Sequence, residues 1–149
     1  MFKKILVPLD GSELAEAVFP QVRALAEEAG GEIALLRVPV YPILDIPASN
    51  PDLISALYDE IDDAVLAYLA RTAARLREGG LTVTAELRTG FVADTILAYA
   101  ESIGADLIAM STHGRSGLAR WLIGSVAERV VQGARVPVLV IRPKPGSSV

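Results

Sequence analysis

The chain has 149 residues and a net charge of -4, with 52% apolar and 21% charged residues, which is the balance of one globular domain with a sizeable core and not of a disordered chain. The acidic surplus argues against a nucleic-acid partner, which would call for a basic face, and the absence of cysteine removes disulfides, thiol catalysis and thiolate metal sites. No segment reaches the roughly 18 uninterrupted apolar residues of a membrane span, and the apolar run behind Lys3-Lys4 is too short for a signal peptide, so the expectation is a cytoplasmic protein with no membrane partner.

Short apolar runs alternate with longer stretches of helical period, the pattern of repeated βαβ units. The first run is Ile5-Leu6-Val7, followed by the turn Asp10-Gly11-Ser12. A helix is expected after Ser12, with Leu14, Val18, Val22, Leu25 and Ala29 on one face, a kink at Pro20, and a stop at Gly30-Gly31. A second strand covers residues 33–38. Residues 40–52 form the longest irregular connection; three prolines among apolar side chains read equally as an ordered functional flap or a packed connector.

The second helix is expected over residues 52–78, with Leu53, Leu57, Ile61, Val65 and Leu69 at four-residue spacing before Gly79-Gly80. Residues 81–87 alternate in polarity, which suits a sheet-edge strand with one wetter face. A third helix over residues 92–103, a strand over 107–110, a fourth helix from Ser125 to Gly133 and a strand over 138–141 complete the chain. The other four strands are nearly continuous in apolar character, as strands covered on both faces should be. The expected fold is therefore α/β: one open, five-stranded parallel sheet with helices on both faces. Residues 1–143 form the domain and residues 144–149 a short flexible tail.

In such a sheet, ligands bind beyond the carboxyl ends of the strands, where strand order reverses. The segment after the fourth strand is the informative one, running from Met110 through Ser111-Thr112-His113-Gly114-Arg115 to Gly124-Ser125-Val126. A phosphate needs several backbone N–H groups converging on one spot with no Cβ in the way. Gly114 and Gly124 supply clearance, and Gly114 is expected at positive φ. Ser125 can cap the following helix or bond a phosphate oxygen, and the first-turn N–H groups favour an anion. Arg115 and Arg120 add positive charge, but no Gly-Lys-Ser/Thr is present, so this is not a P-loop. On these residues alone, a phosphate cradle and a long structural turn both stand.

At these positions the sequence resembles the universal stress protein family over nearly its whole length. Members share Gly, two residues, Gly, nine residues, then Gly and Ser or Thr. Here Gly114, Arg115 to Ile123, and Gly124-Ser125 match, while Ser111 stands at the first glycine position. The opening Lys4-Ile5-Leu6-Val7-Pro8-Leu9-Asp10-Gly11-Ser12 and closing Val136-Pro137-Val138-Leu139-Val140-Ile141 are similar to the family's first strand and turn and its last strand. The resemblance implies a Rossmann-like fold of the adenine nucleotide alpha hydrolase type and ATP, with Mg²⁺, as ligand. Adenine would lie near Pro8, Leu9 and Val38, ribose near Asp10 and Gly114, and phosphates along Arg115, Gly124, Ser125 and Val126. Met110 and His113 would also face the nucleotide.

Asp10 could accept ribose hydroxyls or hold Mg²⁺ through water, or bond the backbone of its own turn. Ser12 reads as a helix cap before a ligand contact. His113, the only histidine, has no second titratable group at a spacing that would make it a general base. Trp121 sits among Leu118, Leu122 and Ile123, which favours burial over stacking on a base. The wholly apolar Val138–Ile141, expected at a sheet edge, needs covering. The same strand of a second copy about a two-fold axis would do so, as the resemblance also implies, and a proline-rich tail is the other candidate. The expected function is an ATP-binding stress-response homodimer that senses or sequesters nucleotide and is not an enzyme. An interaction module that has lost nucleotide is the alternative, on the strength of Ser111. Enzymes of related folds carry a His-x-x-His motif or a Ser-Gly-Gly-rich loop after the first strand, and this chain has neither.

Overall fold

Alternation decides how this chain folds. In the first strand Ile5, Val7 and Leu9 fall to one side and Leu6 to the other, and both sides are buried, so helices must cover both faces. The computed structural model describes residues 1–42, 50–112 and 123–143. It contains five strands, β1 (Lys4–Leu9), β2 (Glu32–Arg37), β3 (Thr82–Leu87), β4 (Leu107–Ser111) and β5 (Val138–Ile141). Four helices connect them: α1 (Phe19–Ala29), α2 (Pro51–Arg77), α3 (Val92–Ile103) and α4 (Ser125–Gly133). The sheet is parallel in every pair, in the order β3-β2-β1-β4-β5.

Val22 and Ala26 of α1 and Val65, Leu69, Ala73 and Leu76 of α2 pack on the face carrying Ile5, Val7, Ile33 and Leu35. On the opposite face, Ala93, Ile96 and Ala100 of α3 and Ala127 and Val130 of α4 meet Leu6, Leu36, Ile108 and Met110. Each buried Ile, Leu or Val contributes about 1.5–3 kcal/mol by leaving water, and these two layers hold the sheet between them. At its lower end the Asp106 carboxylate accepts the backbone N–H groups of Lys3 and Lys4 at 2.9 and 3.1 Å, tying β4 to the start of β1. The alternating strand β3 is an edge, as its pattern predicts, and so is β5.

The expected first helix is corrected. After the turn at Ser12 the chain makes a short 3₁₀ segment, Ala15–Val18, and the α-helix begins only at Phe19. Pro20 therefore produces no interior kink. It stands in the first turn of α1, where its missing N–H has no intrahelical acceptor to lose and its fixed φ suits the start. The long α2 helix also departs from its simple stripe. Its 27 residues extend about 40 Å, against about 20 Å for a six-residue strand, so it outreaches the sheet. Val65 and Leu69 are buried, whereas Leu53, near its N-terminus, is 45% exposed. No helix among the described residues is long and apolar enough to cross a membrane.

Candidate ligand cleft at the strand switch

From β1 the sheet grows outward in two directions, through β2 to β3 and, by way of β4, to β5. The connections leaving β1 and β4 consequently diverge to opposite faces, which opens a crevice beyond their carboxyl ends. A cleft of about 650 Å³, its open mouth included, lies there.

Six of the expected nucleotide-contacting residues line this cleft: Pro8, Leu9 and Asp10 from β1 and its turn, Val38 after β2, Met110 in β4, and Val126 in α4. Gly124 and Ser125 stand between two lining residues, Ile123 and Val126. Ser12 does not line it. His113, Gly114, Arg115, Arg120 and Trp121 lie outside the described residues, as do most of the 40–52 connection and the 144–149 tail.

Sequence reasoning missed the apolar wall opposite β1. Val92 and Ile96 of α3, Leu36 of β2 and Ala127 of α4 also line the cleft. Their helical and strand periodicities read as core, because the same stripes that pack the layer run out at the cleft. Position was the only available signal: Val92 opens the helix after the Thr89-Gly90 loop, at the carboxyl end of β3. Thr112 is buried, and its backbone N–H donates to the carbonyl of Ile141 at 2.9 Å, extending the β4–β5 ladder to the cleft.

Asp10 makes the turn it begins. Its Oδ1 accepts the backbone N–H of Ser12 at 2.8 Å and the Ser12 hydroxyl at 2.6 Å. The Ser12 Oγ in turn accepts the N–H of Ala15, the first residue of the 3₁₀ segment, at 3.2 Å. Asp10 thus nucleates an Asx-type turn, whereas Ser12 is not the expected helix N-cap: Leu14 stands at the cap of the 3₁₀ segment and Val18 at that of α1. Ser111, where the family pattern has glycine, uses its hydroxyl to donate to the Ala15 carbonyl at 3.3 Å. That contact ties β4 to the 3₁₀ segment while both Ser111 and Ala15 line the cleft.

The start of α4 differs from expectation in one respect. Gly124, not Ser125, is the N-cap: it has φ +90° and ψ +148°, and its carbonyl accepts the N–H of Glu128 at 3.0 Å. Ser125 is already the first helical residue, exposed, so its side chain is too far along to cap. The cap residue, a glycine, brings no side-chain bond, and the N–H groups of Ser125, Val126 and Ala127 have no acceptor within the helix. They carry the positive end of the helix dipole. Among the described residues no group of three or more His, Asp or Glu side chains gathers to hold a metal.

The fold recurs in known proteins. The model of the universal stress protein family matches residues 1–142. The universal stress protein MJ0531 of Methanocaldococcus jannaschii is 38% identical over 144 residues, covering 95% of this chain and 83% of that protein. The solved structure of a second protein of that organism, MJ0577, superposes with a TM-score of 0.81 at 30% identity over 98% of this chain and 99% of that one. A universal stress protein family protein of Arabidopsis thaliana with AMP bound shares the fold, with a TM-score of 0.65 at 18% identity over 99% and 95% of the two chains. On the family match across residues 1–142 and a relative at 38% identity, the chain belongs to the universal stress protein family.

Proposed function

We propose that this protein binds an adenine nucleotide, ATP with Mg²⁺, in the cleft beyond β1 and β4, and that it holds the nucleotide without turning it over. The observation that carries the reading is the meeting of two chemistries in the cleft's lining. An apolar slot made by Pro8, Leu36 and Val38 suits a purine ring. The first turn of α4, behind Gly124, brings N–H donors that suit an anion. Asp10 also lines the cleft and supplies a carboxylate for ribose hydroxyls or for water around a magnesium ion. The AMP bound by the Arabidopsis relative supports the same ligand class at the level of the fold.

The functional unit in this proposal is a homodimer in which β5 pairs with its counterpart. All four β5 residues are only partly buried in the single chain, although Val138, Leu139 and Ile141 pack on the cores. A second reading, an interaction module without nucleotide, draws on Ser111, whose hydroxyl occupies the Ala15 carbonyl within the cleft.

Mass spectrometry of the small molecules released on denaturing freshly purified protein separates the two. Release of an adenine nucleotide in near-equimolar amount is expected. A protein that releases none, and takes none up on dialysis against ATP and Mg²⁺, is the interaction module.

A further inference from the structure

Arg37 ends β2 paired with Leu9, and it does not line the cleft. Its side chain leaves the sheet on the α1–α2 face, the side to which Ile33 and Leu35 also point. There the guanidinium lies over the Tyr68 ring of α2, 5.4 Å from its centroid. The same guanidinium closes on Gly11: a Cβ on Gly11 would stand 2.9 Å from Cζ and 3.1 Å from Nη2 of Arg37. Gly11, at φ +87°, is therefore bare on the side the guanidinium occupies. A planar cation thus lies against both an aromatic ring and the turn that begins with Asp10. Tyr68 is half-buried among core residues, so the platform behind the turn is firm.

We infer that Arg37 is a positioning residue for the ribose end of the cleft. It holds the Asp10–Gly11 turn so that the Asp10 carboxylate meets the ribose hydroxyls, and this makes the site prefer ribonucleotides to 2′-deoxyribonucleotides. The inference rests on the nucleotide-binding reading above. Asp10 already commits Oδ1 to Ser12, which fixes the carboxylate relative to the turn, so the turn's own position decides where the carboxylate sits in the cleft. Removing the cation behind Gly11 frees the turn without touching a cleft-lining side chain.

The test is isothermal titration of MgATP and of Mg-2′-deoxy-ATP into the wild type, Arg37→Met, Asp10→Ala and the double variant. The wild type is expected to prefer ATP by roughly tenfold, the size of one hydrogen bond to a charged group. Arg37→Met should bring that ratio close to one, and should change nothing further in the Asp10→Ala background, since the two residues act through one contact. Equal weakening of both nucleotides by Arg37→Met, with the ratio kept, would assign it a structural role only and overturn the inference. So would additive losses in the double variant, or a wild type that binds both nucleotides equally. A wild type that binds neither overturns the nucleotide reading itself. Should Arg37→Met fail to fold, Arg37→Lys keeps the charge without the planar fork. Its ratio is expected to fall below that of the wild type, and an unchanged ratio contradicts the proposal.

Discussion

Replacing Gly124 by alanine tests the helix start at the cleft most sharply. At φ +90° and ψ +148° the residue occupies backbone space that is close to glycine-only, and forcing a Cβ there costs on the order of 1–3 kcal/mol. Alanine is also a poor N-cap beside glycine, which adds up to about 1 kcal/mol. A central expectation of about 2 kcal/mol is a sizeable share of the roughly 5–15 kcal/mol that holds a domain folded, so the variant should fold but melt early. For a chain of this size that lowers Tm by about 4–8 °C. Urea titration with an unchanged m-value should give the same loss, since the unfolded surface is the same. Ser125→Ala is the control. Ser125 is exposed and makes no cap bond, so its loss should stay within about 0.5 kcal/mol. A Gly124→Ala protein as stable as wild type, or a Ser125→Ala protein weaker by a full capping interaction, would refute the assignment of Gly124 as the cap.

Tyr99 should make stability fall at high pH. Burial, and then the Glu86 carboxylate beside it, push its phenol from 10.0 up to about 12. The folded state thus holds that proton more tightly than the unfolded chain, so the contribution is complete below pH 10 and drains away toward pH 12. Urea midpoints across that window should decline less steeply in Tyr99→Phe, and identical slopes would contradict this. Arg77 donates Nε and Nη2 to the Val83 carbonyl of edge strand β3 at 3.0 and 2.6 Å. Arg77→Ala should cost about 1–2 kcal/mol and raise concentration-dependent light scattering by baring that edge, whereas unchanged scattering and melting would show the contact to be idle. Ser111→Gly loses the bond to the Ala15 carbonyl and places glycine in a strand, for a loss of about 1–2 kcal/mol in denaturant titration. Its affinity for MgATP should hold or improve; weaker binding would make Ser111 a direct ligand contact.

Much of this fold was legible because burial on two faces leaves an unmistakable pattern. Helix α3 falls on Val92–Ile103 and strand β5 on Val138–Ile141, as apolar spacing predicts. The errors are local. Pro20 reads as a kink only if a helix already runs through it, and the 3₁₀ segment that precedes it has no distinct apolar period. Ser125 reads as a cap because serine caps well, yet the backbone angle that makes a cap was supplied by Gly124. Within the cleft, Pro8, Asp10 and Val38 were legible from their places after strands. Ile96 and Ala127 were not, since a core stripe and a cleft wall share one periodicity until the helices are placed over the sheet. Arg37 was invisible for a related reason: its meaning depends on Gly11 and Tyr68, which come together only when β1, β2 and α2 pack.

Nucleotide binding itself is tested most directly by the thermal shift on adding ATP and Mg²⁺ to protein first stripped of any bound small molecule. A ligand at a hundred times its Kd adds about 2.7 kcal/mol to stability. For a chain of this size that raises Tm by about 5–10 °C. The shift should reappear with other adenine ribonucleotides and shrink in Gly124→Ala. A melting temperature unmoved by millimolar ATP and Mg²⁺, with no heat of binding in titration, would contradict the assignment of the β1–β4 cleft as a nucleotide site.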